Sequence, residues 1–434
     1  MDVAQTQPKS LEEILAPDKM LTWSNPCYWE NVLPQELSIS KMDYNVEDPD
    51  CKQPSRHNEE HELRTRLMQD GYALVDPPTQ DRSRFDELTN TLKEGISLLN
   101  EMRIPAVFIM LCDEAWEYAQ TANQVLQKSA HPCNVFNFDI LAWHVDPKEN
   151  TAGFSPHRDR QPIEPTTSFH DDDQAKYVTL WTALSDANPE NSCLYIIPKQ
   201  YDPGYTTGDG EKDPLQRALS TKEAYQHIRA LPRQAGQSVL FTHRSLHWGS
   251  RGNSKTSVEP RTAISFVCSD PSFERPYLNS NYFTEDRIPP FRIRLLLVCA
   301  QLLIYYQRFN LPKSCIRACH SYCKKHEDEL DETYRGKVGI EFVKAMSEFS
   351  SRKELSNANE DADEEAILEE MLNAEQKGYG EFSDDYDETQ SSCSQHVADA
   401  DNFDEDEVDD DALFSKRNIN SYENAEIRKK QKLT

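Results

Sequence analysis

Positive charge is scarce in this sequence. Its 434 residues carry 75 Asp and Glu against 47 Lys and Arg, for a formal net charge of −28. Without a body-wide basic surface, no nucleic-acid partner is expected. Long apolar runs are missing too. The most apolar stretch, Leu295 to Tyr306, is too short to span a bilayer and contains Gln301, so it reads as a buried helix. The first residues, Met1–Asp2–Val3–Ala4–Gln5, have no basic segment followed by an apolar one, so no secretory address is expected. The last three, Lys432–Leu433–Thr434, are not a peroxisomal Ser-Lys-Leu signal. No C-x-x-C pair occurs. The 11 cysteines are odd in number and scattered, which fits a reducing compartment: the cytoplasm, with the nucleus as the alternative.

What is present is uneven. From Glu354 to Asp411 there are 23 acidic residues and one lysine, Lys377. That block accounts for −22 of the net charge and leaves −6 for the rest. The acidity therefore belongs to a tail. Residues 351–434 cannot bury enough apolar surface to offset chain entropy and are expected to be disordered. A basic protein is a candidate partner for them. Lys416–Arg417 and Arg428–Lys432 are basic islands that read as a nuclear address or as a solvated end. Hydrophobic residues make up 37% of the chain, enough for a packed core over part of it.

Residues 1–60 read as an N-terminal arm, with Trp23, Tyr28 and Trp29 packing locally. His61–Asp70 reads as a helix ended by Gly71, Tyr72–Val75 as a strand, and Phe85–Leu99 as a second helix. Val107–Leu111 and Ala115–Leu126 continue a helical region. From Val135 to Trp143 the composition is that of a strand. Tyr177–Leu184, Cys193–Ile197, Ser238–Thr242 and Arg261–Cys268 are further strands, separated by Gly and Pro turns rather than by helices. Such a pattern argues for a β-sandwich or jelly roll. Residues Pro290–Phe309, Cys315–Lys325 and Gly339–Phe349 read as helices packed against it. Cys315, Cys319 and Cys323 form one stripe of a helix, better explained as buried thiols than as a zinc site.

Two motifs carry chemistry. His157–Arg158–Asp159 lies after a turn, and His247–Trp248–Gly249–Ser250 follows the strand Ser238–Thr242. Two imidazoles and one carboxylate can cap one face of a divalent metal and leave three adjacent positions open, as non-haem Fe(II) chemistry requires. In an extended segment, His157 and Asp159 face the same side. Each has a competitor. His170–Asp171–Asp172 is a second H-x-D, in a polar loop with no strand leading into it. His243 shares strand parity with His247.

The segment from Phe138 to Asp270 resembles the phytanoyl-CoA dioxygenase-like (PhyH) oxygenases. The resemblance is carried by His157 and Asp159, by Leu180–Asp186, by Pro189–Pro198, by His247–Ser250, and by Arg261, which lies 14 positions after His247. It implies a mainly β (α+β) fold, a double-stranded β-helix (jelly roll, cupin-like) with flanking helices. It implies Fe(II), with 2-oxoglutarate and O2 as co-substrates. His157, Asp159 and His247 would hold the metal, and Arg261 the distal carboxylate of 2-oxoglutarate. A structural salt bridge is the other reading of Arg261. Ser265 would add a hydroxyl on the same strand face, and Trp181 would wall the pocket unless it is simply a core tryptophan. The expected reaction is hydroxylation of an aliphatic carbon of a small-molecule or lipid-like substrate, with release of succinate and CO2. The chain departs from the family pattern at Ser192, where glycine is usual, and at Lys199–Tyr201, which puts the substrate class in doubt. Asp159 disfavours a halogenase. The expected organisation is an arm at 1–60, the oxygenase domain at 61–285, a helical cap at 286–350 and the tail at 351–434. The competing reading is a non-catalytic scaffold that acts through its acidic tail.

Overall fold

A computed structural model describes residues 23–40, 59–149, 153–161, 164–210, 213–249, 251–255, 259–309 and 311–354. Most of the expected tail, the basic islands and much of the N-terminal arm lie outside the described residues. The architecture is mixed α/β, with antiparallel sheets and a large helical share.

The larger sheet has six strands: β1 (Tyr72–Val75), β2 (Val135–Phe136), β3 (Leu141–Val145), β4 (Tyr177–Ala183), β7 (Ser238–Thr242) and β9 (Arg261–Ser269). Its order is β1-β7-β4-β9-β2, with β3 also paired to β9. The smaller sheet is β6-β5-β8, from β5 (Leu194–Ile196), β6 (Arg229–Leu231) and β8 (His247–Gly249). Every pairing is antiparallel.

β4 explains the layering. All seven of its residues are buried. Val178 and Leu180 face the main core, while Trp181 and Ala183 face the smaller sheet. Successive strand residues point to opposite faces, so a strand covered on both sides is largely apolar, and its two threonines are hydrogen-bonded. Between the sheets, Trp181, Val239, Phe241 and Ala263 meet Leu194, Ile196 and Leu231. The site described below lies in that layer.

The other face carries helices. They are α1 (Glu59–Asp70), α2 (Arg82–Glu101), α3 (Asp113–Ser129), α4 (Phe291–Ile304), α5 (Lys313–Lys325) and α6 (Glu332–Glu354). α2 buries Phe85, Leu88, Leu92, Ile96 and Leu99, a stripe at helical spacing. α4 is buried almost all round, as its mostly apolar sequence demands, and the buried Arg294 and Gln301 within it are hydrogen-bonded. One cluster runs from Trp23 to Met346, through the sheet and all six helices. Burial of each large apolar side chain in it stabilises the fold by about 1.5–3 kcal/mol. Cys299 of α4 and Cys315, Cys319 and Cys323 of α5 are all buried. No helix among the described residues is long and apolar enough to cross a membrane.

Two expectations need correction. Val135 to Trp143 is not one strand but two, β2 and β3. Phe138 has φ +73°, which no strand allows, and the Asn137 side chain donates to Ser269 Oγ at 2.7 Å. The kink turns Asp139 into a buried cluster with Arg160, Tyr177, Gln301 and Tyr305. α6 continues to Glu354, three residues beyond the expected start of the tail at 351.

Ser192 has φ +73° and ψ +54°, the left-handed region where glycine is usual, because it closes the capped turn Pro189–Asn191.

Candidate metal centre

His157 and His247 are held opposite each other by the backbone. They form an isolated antiparallel bridge, with the His157 amide donating to the His247 carbonyl at 3.0 Å and the reverse bond at 3.1 Å. Gly249 donates to the Phe154 carbonyl just beyond. That approach is close enough to require glycine: a Cβ on Gly153 would sit 2.5 Å from the Gly249 oxygen.

Alternation along 157–160 then sorts four side chains. His157 and Asp159 turn inward. Arg158 and Arg160 turn to the opposite side. Arg158 is gripped by Asp202 at 2.6 and 2.8 Å and by Asp209 at 2.6 and 2.8 Å, with its side chain fully buried. Burial alone would lower its pKa, but the two aspartates override this and raise it. Arg160 is bound by Asp139 at 2.9 Å and by Glu274 at 2.5 and 2.7 Å. The stretch that presents the inward pair is therefore pinned from behind.

Both inward histidines have a defined tautomer. His157 Nδ1 lies 2.7 Å from the Ser155 carbonyl, and His247 Nδ1 lies 3.0 Å from that of Ser245. A carbonyl can only accept, so each Nδ1 carries the proton and each Nε2 keeps its lone pair. Each Nε2 lies 3.6 Å from Asp159 Oδ1, too far for a hydrogen bond. The other carboxylate oxygen, Oδ2, accepts from Thr179 Oγ1 at 2.7 Å. The three ligand atoms all lie within 4.8 Å of one another, the separation that donors around one ion require. This is the one such group of three or more among the described residues.

The surroundings favour a neutral His247 imidazole and an ionised Asp159 carboxylate. Phe154 lies edge-on to His157 and His247 at 5.1 and 5.4 Å, and Phe241 lies 4.4 Å from His247. Burial lowers His247 to about 4. For Asp159, burial works upward, but His247, His157 and the Thr179 hydroxyl bring its carboxyl below the usual range. These are the protonation states a metal needs.

The competitors lie elsewhere. His170 stacks on His131 at 3.6 Å and contacts Asn134 at 3.2 Å, while Asp172 bonds Gln174. Neither is joined to His247. His243 is fully buried among Phe169, Tyr177 and Phe273, with Nδ1–H donating to the Tyr177 carbonyl at 3.0 Å. Burial lowers its pKa to about 3. Below its ordinary pKa of about 6.5 the unfolded chain takes up a proton that the folded chain refuses. Stability therefore falls as pH drops from about 6.5 towards 3, by a few kcal/mol from this group. His243→Phe is expected to flatten the melting-temperature profile in that window. An unchanged slope would show that other groups carry the acid sensitivity.

Arg261 lies on β9 opposite Val145 of β3, with no exposed surface. Its Nε, Nη1 and Nη2 have no hydrogen-bond partner, and no carboxylate among the described residues pairs with it. Its guanidinium carbon is 5.6 Å from the Trp181 ring centroid, and the Trp181 indole nitrogen is also unpartnered. Ser265 sits on the same face of β9, opposite Trp181 in register. Burial lowers Arg261 to about 10. A buried cation without a partner is costly, so this corner suits an anion with several acceptor oxygens.

Reading the sequence missed Thr179, Phe154 and Phe241. Thr179 could have been found: it lies two residues before Trp181 and so shares its face. A cleft of about 2430 Å³ reaches His157 and Phe154, bordered by Trp143, His144, Arg308 and Phe309.

The phytanoyl-CoA dioxygenase (PhyH) family model matches residues 61–263. Among solved structures, the epimerase SnoN in complex with Fe3+, alpha ketoglutarate and nogalamycin RO is similar at 21% identity, over 49% of this chain and 84% of that one, with a TM-score of 0.36. AviO1 from Streptomyces viridochromogenes shares 15% identity over 50% of this chain and 97% of that one, with a TM-score of 0.35. The apo form of the non-heme monooxygenase ThoJ shares 11% over 61% and 99%, with a TM-score of 0.39. No curated protein matches the sequence.

Proposed function

We propose that this chain, which carries a phytanoyl-CoA dioxygenase (PhyH) domain over residues 61–263, is an Fe(II)- and 2-oxoglutarate-dependent oxygenase built on a double-stranded β-helix. Its substrate is a small or lipid-like molecule hydroxylated at an aliphatic carbon. His157, Asp159 and His247 hold the iron, and Arg261 holds the distal carboxylate of 2-oxoglutarate. The observation that carries this reading is the pairing of two features in one layer: a triad with both Nε2 lone pairs turned inward, and a buried guanidinium with no partner of its own.

The residues fit the groups. Two neutral imidazoles and a carboxylate occupy one face of an ion and leave the other open. When bound, iron with 2-oxoglutarate and dioxygen supplies the oxidising chemistry and yields succinate and CO2. The protein's part is positioning. The Ser155 and Ser245 carbonyls fix the histidine tautomers, and Thr179 fixes the carboxylate rotamer. Phe154 and Phe241 keep water from the ring faces. Arg261 offers a planar fork that a carboxylate takes bidentately. The Trp181 indole walls the same corner, and Ser265 adds a hydroxyl to it.

Anaerobic titration with Fe(II) and 2-oxoglutarate tests this. A visible charge-transfer band is expected with the native chain, and its loss in a folded His247→Ala variant. No band at saturating concentrations of both would overturn the proposal.

A further inference from the structure

β3 is an edge strand. It pairs with β9 and with no other strand among the described residues. In an antiparallel strand, the N–H and C=O of one residue point to one side and those of the next residue to the other. On β9, Thr262 points towards β4: its carbonyl accepts from Leu184 and Ser185, and its N–H donates to Ser185 Oγ. Arg261, Ala263 and Ser265 therefore point to β3, where they meet Val145, Trp143 and Leu141 in register. Ala142 and His144 point the other way. Their backbone N–H and C=O groups have no hydrogen-bond partner among the described residues.

This open edge is closed at both ends. Gln301 of α4 donates to the Ile140 carbonyl at 2.9 Å, and Glu149 turns back onto the Asp146 carbonyl at 3.2 Å. Between them the strand looks into the cleft. Ala142 to Asp146 line it without a gap, whereas the edge strands β1, β2 and β6 contribute nothing to it. Phe154 and His157 line the same cleft. The Trp143 ring stands 6.2 Å from that of Phe154, which stands 5.1 Å from that of His157. Rings thus lead from the open edge to the metal centre.

We propose that the open edge of β3 binds a short free peptide as an added strand, and that this peptide is the substrate. This rests on the reading of the triad as the reacting centre, and it narrows the small molecule of that reading to one class. Ala142 and His144 lack donors and acceptors that alternate at strand spacing, and a peptide backbone supplies them. Closed ends leave room for about three or four residues. The residue opposite Trp143 turns its side chain to the same face as Trp143, into the layer between the sheets. An aliphatic side chain there lies along the rings that lead to His157.

Calorimetric titration of the metal-free full chain with acetyl-Ala-Leu-Ala-Leu-amide tests this. Two further probes keep every side chain but carry esters in place of amides, one at the N–H of both leucines and the other at the N–H of both alanines. An ester cannot donate. In an added strand only alternate N–H groups face β3, so one ester is expected to bind about tenfold more weakly than the parent and the other to match it. Ala142→Pro removes an N–H that points into the cleft and no bond of the sheet, so it is expected to fold, which circular dichroism checks, and to lose most of the parent's affinity. Equal affinities for all three probes, an equal loss with both esters, no measurable binding of the parent, or full affinity in a folded Ala142→Pro variant would each overturn the proposal. The two esters decide the matter on the native chain even if the proline variant does not fold. No iron is needed, so failure of the Fe(II) and 2-oxoglutarate titration is a separate result. It would leave a peptide site on β3 without the chemistry proposed beside it.

Discussion

Arg261→Met is expected to give a more stable protein that no longer binds 2-oxoglutarate. Arg261 is fully buried with three unpartnered nitrogens, and its one visible compensation is the Trp181 ring. Holding an unpaired cation out of water costs several kcal/mol, of which a ring contact offsets about 0.5–2 kcal/mol. A methionine fills the same space without that cost. Without co-substrate, unfolding free energy should rise by about 1–3 kcal/mol, measured by urea denaturation. The companion variant Arg261→Lys keeps the charge and loses the fork. Its 2-oxoglutarate requirement should rise about tenfold to a hundredfold with iron binding preserved. If the methionine variant is less stable and the lysine variant keeps its 2-oxoglutarate dependence, Arg261 is a structural residue and the co-substrate assignment loses its main local support.

Arg158→Met should do the opposite and destabilise strongly. Arg158, Asp202 and Asp209 are almost wholly buried and bond one another through four contacts. Removing the cation leaves two carboxylates facing each other out of water, which costs about 3–5 kcal/mol. Because Arg158 lies between His157 and Asp159, metal affinity should fall as well. Combining the change with Asp202→Asn and Asp209→Asn should recover part of the stability, since the uncompensated charges go with it. The urea midpoints of the single and triple variants decide the matter. A single variant within about 1 kcal/mol of the native chain would mean that water reaches the pair and solvates it.

The contrast between these two arginines marks where sequence reading stops. Arg261 is singled out by the family resemblance, and its apolar neighbours in the strand add that an unpaired guanidinium there would be costly. Arg158 is not, because its partners lie 44 and 51 positions away in a polar insertion with no periodic pattern. Strands β1, β4, β7 and β9 could be read because each has unbroken β-forming composition between turn residues. The run from Val135 to Trp143 has that composition too, yet long-range bonds to Ser269, Arg160 and Gln301 break it at Phe138. The inward convergence of His157, Asp159 and His247 depends on a backbone bridge between two segments. Spacing could suggest that bridge, but only the fold supplies it. The tautomers depend on carbonyl positions that residue identity does not encode.

The continuity of the core bears on how this protein can be handled. The family match ends at residue 263, but Asp139, which braces Arg160, takes hydrogen bonds from Gln301 and Tyr305 of the C-terminal helices. Those helices share one apolar cluster with the sheet, as does Trp23 from before the match. A fragment cut at the family boundaries would open a broad greasy face and strand a charged group that the missing helices had satisfied. The matched segment is therefore not a portable cassette. Any graft, chimera or minimal expression fragment needs to carry the chain through about Met346 and to keep the tryptophan-bearing arm.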